Sequence, residues 1–262
     1  MPKDIRVLLI ENDPYARDLM ALLLTRDWRT RVVAEIADPS RLSQYLSQPD
    51  TKIDVVILDA EPSTASGLPY ELAKMTQTLT PAPAVIYMAS QINHDTLDQF
   101  LTARSGGYIL KSELFYGLAS AAALAADGNC VISPGIEQKL GSVDFPEHTY
   151  ILDGRTMLER FTPRERELVR FKLIFNLSTR DLVDELVLSA SWISEMMSII
   201  YQKLGLRDIL SGSESLEDYF NDEVVLAHSR EILSSNHSST RKAPWMATLA
   251  FHLLTVPEIQ KI

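Results

Sequence analysis

The sequence predicts an α/β domain built on a doubly wound, five-stranded parallel sheet, followed by a small all-α domain with a C-terminal extension. Two observations predict the first domain. Apolar, β-branched runs alternate with segments of helical spacing, and several of these runs end in polar or turn-forming residues. A third observation predicts the second domain, because three short helical segments follow one another after residue 160.

The first half of the chain alternates strands and helices in a regular order. Five such units imply a parallel sheet with right-handed crossovers. Pro14 suits the first turn of a helix, and Leu114, Leu118 and Ala122 keep helical spacing in the last one. The predicted strands are 5–10, 31–36, 55–58, 84–88 and 107–110, and the predicted helices are about 14–26, 39–47, 68–77, 96–105 and 112–126.

A single carboxylate, Asp59, follows the buried run that begins at Val55, and turn-forming residues continue to Gly67. In open α/β sheets, ligands bind beyond the carboxyl ends of the strands. A carboxylate there can accept a phosphoryl group when a divalent cation and a basic side chain offset its charge. The alternative is an aspartate that only shapes a turn or caps a helix.

Polar and charged residues also follow other predicted strands. Glu11, Asn12 and Asp13 come after the first strand, and Lys111 comes directly after the last. Because parallel strands end at the same edge of a sheet, we expect these side chains to meet Asp59 in one pocket.

The motifs IENDP, ILDAE, AVIYMAS and GGYILKSE, in that order, resemble the receiver domain of two-component response regulators over residues 1–128. The resemblance implies that Asp59 is the phosphoacceptor and that Lys111 contacts the phosphoryl oxygens. It also implies that Glu11 and Asn12, together with Asp59, hold Mg²⁺. A sensor histidine kinase would supply the phosphoryl group.

Two positions depart from the pattern of that family. Asn12 stands where the direct metal ligand is usually Asp, and its carbonyl oxygen is uncharged, so we expect weak Mg²⁺ binding. Met88 stands at the switch position, where the family carries Thr or Ser, and a thioether cannot donate a hydrogen bond to a phosphoryl oxygen. The link from the phosphoryl group to Tyr108, the switch aromatic, would then be broken. A register shift of two residues would place Ser90 there instead.

Composition bounds the class of protein. The 262 residues suffice for two modest cores, and 46% apolar and 23% charged residues are ordinary for a globular protein. The single cysteine, Cys130, excludes an internal disulfide and fits a reducing cytosol. No apolar run reaches the ~18 residues of a membrane span, and no signal peptide precedes the first strand. We therefore expect a cytoplasmic protein without a membrane partner.

Residues 129–160 are predicted to be a linker. The stretch GNCVISPGIEQKLG resembles the end-of-receiver segment of response regulators that carry a LuxR-type output domain. The stretch 141–154 is richer in turn formers and acids. A hinge of this kind would let two domains separate or dock.

Residues 161–210 are predicted to form three short helices. Each has a Ser or Thr N-cap, and two of the caps are followed by an acid that completes a capping box. The caps are Thr162 with Glu165, Ser178 with Asp181, and Ser189. An apolar stripe marks the buried side of the third helix, Ile193, Met197, Ile200 and Leu204.

The motifs FTPRERELV, LSTRDLVDEL and LSASWISEMMSIIYQKLGL resemble the LuxR-type helix-turn-helix domain, in which the third helix enters the DNA major groove. The resemblance implies that promoter DNA is a partner and that the protein acts as a homodimer. The residues that would face DNA are Arg180, Ser191, Ser194, Glu195, Ser198 and Lys203.

This second resemblance also has departures. The outward positions of the third helix carry no Lys or Arg, although cations supply most of the affinity for phosphate. Glu195 would repel the DNA backbone. Seven basic and seven acidic residues balance over 161–210, in a chain of net charge −10. Between Glu167 and Ser178 the chain is one residue longer than the usual pattern, and Asn176 stands where a turn Gly is common.

Residues 211–262 are predicted to be a C-terminal extension. A helix over 216–233 would place one apolar side inward, and a polar stretch, 234–244, would follow it. The apolar tail 245–256 would dock on its own chain or on a second subunit, or would bind a partner protein. The apolar side of the predicted helix is Leu216, Tyr219, Phe220, Val224 and Ala227.

Two functions fit these patterns. The first is a DNA-binding response regulator that controls transcription, with Asp59 as phosphoacceptor in a phosphorelay. The second is a phosphorylation-independent adaptor whose two domains bind other proteins, which Asn12, Met88 and the uncharged third helix favour. An enzyme with a small-molecule substrate is the least supported, because no second catalytic constellation appears.

Overall fold

The structure is a computed structural model that describes residues 4–47, 52–61, 68–103, 106–141, 145–220, 223–234 and 242–262. The chain divides into two units, of which the first comprises Met1–Arg155 with Pro257–Ile262 and the second Thr156–Val256. The second unit is therefore an insertion within the first, because the chain returns to the first unit at its C-terminal end.

Among the residues that the structure describes, the first unit contains one eight-stranded sheet. Its strands are β1 (Ile5–Ile10), β2 (Thr30–Ile36), β3 (Val55–Asp59), β4 (Ala84–Ala89), β5 (Gly107–Leu110), β6 (Cys130–Ile132), β7 (Thr149–Asp153) and β8 (Glu258–Lys261). They lie in the order β2-β1-β3-β4-β5-β6-β7-β8, and only the last pair, β7 with β8, is antiparallel. The apolar runs that predict β1, β3 and β4 are almost entirely buried, as central parallel strands require.

The doubly wound α/β class is confirmed, but the sheet has eight strands rather than five. The segment 129–160, for which the sequence predicts a linker, instead contributes β6, β7 and a helix between them. The three-residue β6 extends the sheet because its backbone pairs with Gly107 and Tyr108 of β5. Such a short strand is decided by its neighbour rather than by its own composition.

Helices cover both faces of the sheet. The helices of the first unit are α1 (Pro14–Arg26), α2 (Leu42–Leu46), α3 (Leu68–Thr76), α4 (His94–Ala103), α5 (Lys111–Leu114), α6 (Leu118–Ala126) and α7 (Pro134–Leu140). Side chains from α1 and α6 pack against one face, and side chains from α2, α3, α4 and α7 pack against the other. The sheet separates the two clusters. Strand side chains that point to either face of the sheet are therefore buried.

The helix predicted over 112–126 is interrupted. It becomes α5 and α6, and the backbone between them turns sharply at Phe115, whose φ is +50°. Gly117 allows the turn because an added Cβ would lie 3.1 Å from both Leu114 and Pro257. The predicted apolar spacing is still correct, since Leu114 and Leu118 are buried in one cluster.

The second unit is helical. Its elements are α8 (Thr156–Glu159), α9 (Pro163–Leu168), a π-helix (Val169–Ile174), α10 (Thr179–Leu186), α11 (Ala190–Lys203), α12 (Leu206–Ser211), a 3₁₀ turn (Leu216–Asp218), α13 (Glu223–Ser234) and α14 (Lys242–Thr255). Both predicted capping boxes are present, and Ser189 accepts a hydrogen bond from Trp192 N at the start of α11. The predicted stripe of α11 is buried from Ile193 to Leu204.

The extra residue before α10 has a structural explanation. The π-helix accommodates one more residue per turn than an α-helix, and it lies within the longer segment. Asn176 then adopts a left-handed conformation with φ of +58°, which is the conformation that a turn Gly would supply.

The C-terminal extension packs on its own chain. Leu249, Phe251 and Leu253 of α14 are buried, and α14 packs against α13 and the π-helix. The partner-binding interpretation of this tail is therefore wrong for those residues. The predicted apolar side of 216–233 is correct at Leu216 and Phe220, whereas Val224 is 43% exposed because α13 instead buries Val225 and Leu226. The predicted polar stretch lies largely outside the described residues. Within the described part of the chain, every helix is too short or too polar to span a bilayer.

Candidate functional site

The ends of β1, β3 and β5 bring four side chains together. Glu11 follows β1, Asp59 ends β3, Glu61 lies two residues later, and Lys111 begins α5 directly after β5. These strands are parallel and neighbour one another through β4, so their carboxyl ends share one edge of the sheet. We call the group Glu11, Asp59, Glu61 and Lys111 the acidic pocket.

Lys111 lies at the centre of the acidic pocket. Its Nζ is 2.8 Å from Glu11 Oε2, 2.9 Å from Asp59 Oδ1 and 3.3 Å from Glu61 Oε1. Glu11 and Asp59 are buried, and the Lys111 side chain is 22% exposed. Three carboxylates against one ammonium leave a net charge of −2, so the pocket would stabilise an additional cation.

The charges of the pocket shift the pKa values of its members. Burial opposes the charged form of Lys111, but hydrogen bonds to Glu11 and Asp59 outweigh it, so the pKa of Lys111 is raised. Burial raises the pKa of Asp59, and the repulsion from Glu11 and Glu61 adds to it, although Lys111 opposes the shift. Lys111 is therefore a firmly charged cation, and burial disfavours the ionised form of Asp59.

Glu61 is a member of the site that the sequence analysis missed. Its Oε1 accepts hydrogen bonds from Ser90 N at 2.8 Å and from Ser90 Oγ at 2.6 Å. Burial opposes its charge, but the hydrogen bonds from Ser90 and the contact with Lys111 prevail, so the pKa of Glu61 is lowered. The sequence did contain a signal for Glu61. It stands two residues after the strand-terminal Asp59 and therefore shares the same turn.

A cavity of about 200 Å³ opens beside Asp59 and Asn12. Asp59 Oδ2 is buried and accepts no hydrogen bond from any residue that the structure describes. Asn12 is exposed at the cavity wall, whereas both oxygens of Glu11 are engaged, one by Asp13 N and one by Lys111. The free carboxylate oxygen and the Asn12 carbonyl are hard donors that fit Mg²⁺ with water completing the coordination. Within the described ranges, no cluster of three or more His, Cys, Asp or Glu surrounds a metal position.

The two predicted switch residues lie on opposite faces of the sheet. Met88 is 4% exposed and packs among the residues of the α1 and α6 face. Tyr108 is fully buried on the other face, with Tyr87 and Phe100 around its ring, and its hydroxyl accepts a hydrogen bond from Asn93 N. The structure does not bring Met88 and Tyr108 together. Ser90, the alternative from a shifted register, contacts the pocket through Glu61.

The outward face of α11 is the second candidate site. Ser191, Ser194 and Glu195 are exposed there, as predicted, and Ser198 is half-buried with its hydroxyl bonded to Arg207. We call these four residues of α11 its outward face. They supply hydroxyl groups and one negative charge, and no positive charge.

The cations near this face differ in their engagement. The Arg180 side chain is 90% exposed and is held only loosely, with its Nε 3.9 Å from Asp184. The Lys203 ammonium instead lies 2.7 Å from Glu165, which is buried beneath it. Arg180 is thus available to an incoming anion, while Lys203 is paired within the fold.

No protein-family model matches the chain. It is 26% identical to the uncharacterized transcriptional regulatory protein YxjL of Bacillus subtilis over 211 residues, which is 79% of this chain and 93% of that protein. That relative is named as a transcriptional regulatory protein, which agrees in kind with the predicted resemblance to DNA-binding response regulators. The chain is also 22% identical to the Fimbriae Z protein of Salmonella typhimurium over 86% of its own length and all of that protein.

Two solved structures also align with the chain. The isolated receiver domain of RcsB from Salmonella enterica serovar Typhimurium covers 52% of this chain at 21% identity, with a TM-score of 0.45 and 98% of that domain matched. The RcsB response regulator of Salmonella typhimurium covers 87% of this chain at 19% identity, with a TM-score of 0.43 and 100% of that chain matched.

Proposed function

We propose that the protein is a DNA-binding response regulator that controls transcription and accepts a phosphoryl group on Asp59. The position of Lys111 carries this proposal, because its ammonium lies within 2.9 Å of both Glu11 and Asp59 at the carboxyl edge of the sheet. That arrangement supports chemistry in which a lysine neutralises the charge that a phosphoryl group brings to an aspartate.

The phosphoryl group would come from a phosphohistidine of a sensor histidine kinase. An Asp59 carboxylate oxygen attacks phosphorus, the phosphorus–nitrogen bond breaks, and the imidazole keeps the electron pair. Asp59 Oδ2 is the available nucleophile, because Oδ1 is already bonded to Lys111. Burial raises the pKa of Asp59, and a more basic carboxylate is the stronger nucleophile in its ionised form.

Mg²⁺ would be held by the Asp59 carboxylate and the Asn12 carbonyl, with Glu11 nearby. The ion would offset negative charge on the phosphoryl oxygens. Because Asn12 lacks the charge of a carboxylate, we expect a high metal concentration to be needed.

The second unit would bind promoter DNA through α11. The fold of α10 and α11 and the name of the YxjL relative, a transcriptional regulatory protein, support this assignment. The exposed Arg180 would contact phosphate, and the serines of α11 would contact base edges or phosphates. We propose a cytoplasmic homodimer, since two copies would read two half-sites.

Treatment with acetyl phosphate and Mg²⁺, followed by intact mass measurement, tests the phosphoacceptor. We expect the mass of one phosphoryl group to be gained, and Asp59→Asn to abolish the gain. Asp95→Asn, which removes an acid from α4 outside the pocket, is the matched control and should leave the gain intact. Absence of any gain at millimolar Mg²⁺ would favour the phosphorylation-independent adaptor.

A gel shift with genomic fragments at low and moderate salt tests the output unit. We expect salt-sensitive binding that Arg180→Gln weakens, with the slope of log affinity against log salt reduced by about one. Arg230→Gln is the matched control, because Arg230 is paired with Glu217 on another part of the unit. Equal loss in both variants, or no binding at low salt, would count against the DNA-binding assignment.

A further inference from the structure

The seven residues from Lys111 to Gly117 connect the acidic pocket to both crossings of the chain between the two units. We call them the coupling segment. The chain leaves the first unit at Gly154 and Arg155 and returns to it at Pro257. Because the second unit is an insertion, any signal carried by the backbone must pass through one of these two places.

The coupling segment holds the exit crossing tightly. Gly154 N donates a hydrogen bond of 2.8 Å to the backbone oxygen of Glu113. An added Cβ at Gly154 would lie 2.1 Å from the backbone oxygen of Leu114, so only Gly fits there. The Arg155 guanidinium bridges two acids, with NH1 3.3 Å from Glu113 Oε1 and NH2 2.6 Å from Asp153 Oδ2.

Glu113 also links the exit crossing, at Gly154 and Arg155, to the start of α7. Its second carboxylate oxygen, Oε2, accepts a hydrogen bond of 2.7 Å from Gly135 N at the start of α7. The Glu113 side chain is 12% exposed, so both of its oxygens are used in a largely dry setting. A change in the position of α5 therefore changes three contacts at once.

The coupling segment also touches the return crossing. Gly117 approaches Pro257 so closely that a Cβ would lie 3.1 Å from its ring. Pro257 leads directly into β8, where Glu258 pairs with Asp153 of β7. The exit and return crossings are thus neighbours in the antiparallel β7–β8 pair, and the coupling segment contacts both.

The backbone of the coupling segment is strained. Phe115 has φ of 50° and ψ of −107°, a conformation that L residues rarely adopt, and its side chain is 40% exposed. Backbone strain of this kind persists only where the surroundings enforce it. A strained turn next to Lys111 is suited to shift when the contacts of Lys111 change.

We propose that Glu113 and Arg155 are positioning residues that couple the charge state of the acidic pocket to the two chain crossings. When Lys111 changes its partners, α5 moves, and Glu113 carries the movement to Gly154, Arg155 and Pro257. The physiological trigger rests on the proposed function, because phosphorylation of Asp59 is the expected change at Lys111. The coupling itself is a property of the contacts and can be measured without it.

Hydrogen exchange with mass spectrometry on the full chain tests the coupling. Asp59→Asn removes one carboxylate from Lys111 and stands in for a change of charge in the pocket. We expect exchange rates in peptides covering 150–156 and 257–262 to change on the order of fivefold. In a Glu113→Gln background the same substitution should leave those peptides unchanged, and Arg155→Gln should act in the same direction as Glu113→Gln.

Arg31→Gln is the matched control, because it breaks an exposed ion pair with Asp4 in the same unit but outside the coupling segment. The response to Asp59→Asn should persist in that background. The proposal is overturned if peptides of the pocket respond to Asp59→Asn while 150–156 and 257–262 do not, or if Glu113→Gln leaves their response intact. These exchange measurements need neither phosphorylation nor DNA. Failure of the proposed function would be seen in a separate experiment, as no increase in intact mass after treatment with acetyl phosphate.

Discussion

The acidic pocket and the outward face of α11 lie where the sequence motifs predict them, yet they retain very different amounts of charge. The pocket holds three carboxyl side chains within 3.3 Å of the Lys111 ammonium. The outward face of α11 holds three serines and Glu195. Lys203, the lysine of α11, is paired with Glu165.

The difference teaches that packing and chemistry are specified by separate residues. The position of α11 depends on its buried stripe, including Ile193 and Ile200, which are almost inaccessible to solvent. Nothing in that packing constrains Ser191 or Ser194, so the fold persists whatever the outward face carries. In the pocket the charges are themselves buried, and the fold depends on their pairing.

The largest effect is expected from Lys111→Met. The substitution leaves Glu11, Asp59 and Glu61 close together without their shared cation, and loss of one partner from a buried ionic group costs roughly 3–5 kcal/mol. Urea unfolding monitored by circular dichroism should show a free energy of unfolding lower by that amount. The same charge change at an exposed lysine, Lys139→Met, should alter the free energy of unfolding by less than about 0.5 kcal/mol.

A second variant distinguishes charge repulsion among the three acids from the loss of packing by the Lys111 side chain. Lys111→Met combined with Asp59→Asn and Glu61→Gln leaves a single buried acid, so most of the lost stability should return. A triple variant as unstable as Lys111→Met would mean that the pocket is held by the packing of the lysine stem, and the contrast with α11 would then be one of packing rather than charge.

Much of the fold could be predicted from the sequence. The bounds of β1, β5 and α1 and the start of α10 follow from apolar runs and caps whose signals are local. The convergence of Glu11, Asp59 and Lys111 could be predicted as well, because the edge of a parallel sheet is a consequence of topology. These are the features that depend on short-range patterns or on a general rule.

The features that were missed depend on distant pairing. The four residues of β8 carry two charges, and they form a strand because β7, about a hundred residues earlier, offers an open edge. The break at Phe115 depends on Pro257 and Gly154, which lie far away in sequence. Glu61 was missed for another reason, since one acid in a turn has many possible roles until Ser90 and Lys111 are seen beside it.

A smaller effect is expected from Glu165→Gln, which tests whether Lys203 serves the fold. Burial disfavours the Glu165 carboxylate, but hydrogen bonds from Lys203 and Thr162 prevail, so its pKa is lowered below the ordinary 4.5. A lowered pKa means that the ionised form stabilises the fold above about pH 4.5 and that this contribution disappears as the pH falls through the folded-state pKa. The variant should lose about 1 kcal/mol at pH 7 and less at pH 3, measured by urea unfolding at both values.

Lys203→Met is the control for the same ion pair. It should lose a similar amount of stability at pH 7, and the double variant should lose little more than either single one, because they remove one interaction. If Lys203→Met weakens DNA binding without changing the free energy of unfolding, Lys203 would be a phosphate contact. The outward face of α11 would then have a positive charge available to DNA beside it, although Lys203 is paired with Glu165 in the structure.

The smallest effect on stability, and an informative one on binding, is expected from Glu195→Gln. Glu195 is exposed on α11, so the free energy of unfolding should change by less than about 0.5 kcal/mol. If α11 faces DNA, removing its one negative charge should raise affinity by roughly twofold to fivefold at low salt, and the gain should shrink at higher salt as repulsion from phosphate is screened. Glu231→Gln makes the same charge change on α13, away from α11, and should leave affinity nearly unchanged. A loss of affinity in Glu195→Gln would instead mean that the carboxylate accepts a hydrogen bond from a cytosine amino group. The outward face of α11 would then read sequence through the residue whose negative charge opposes binding to the DNA backbone.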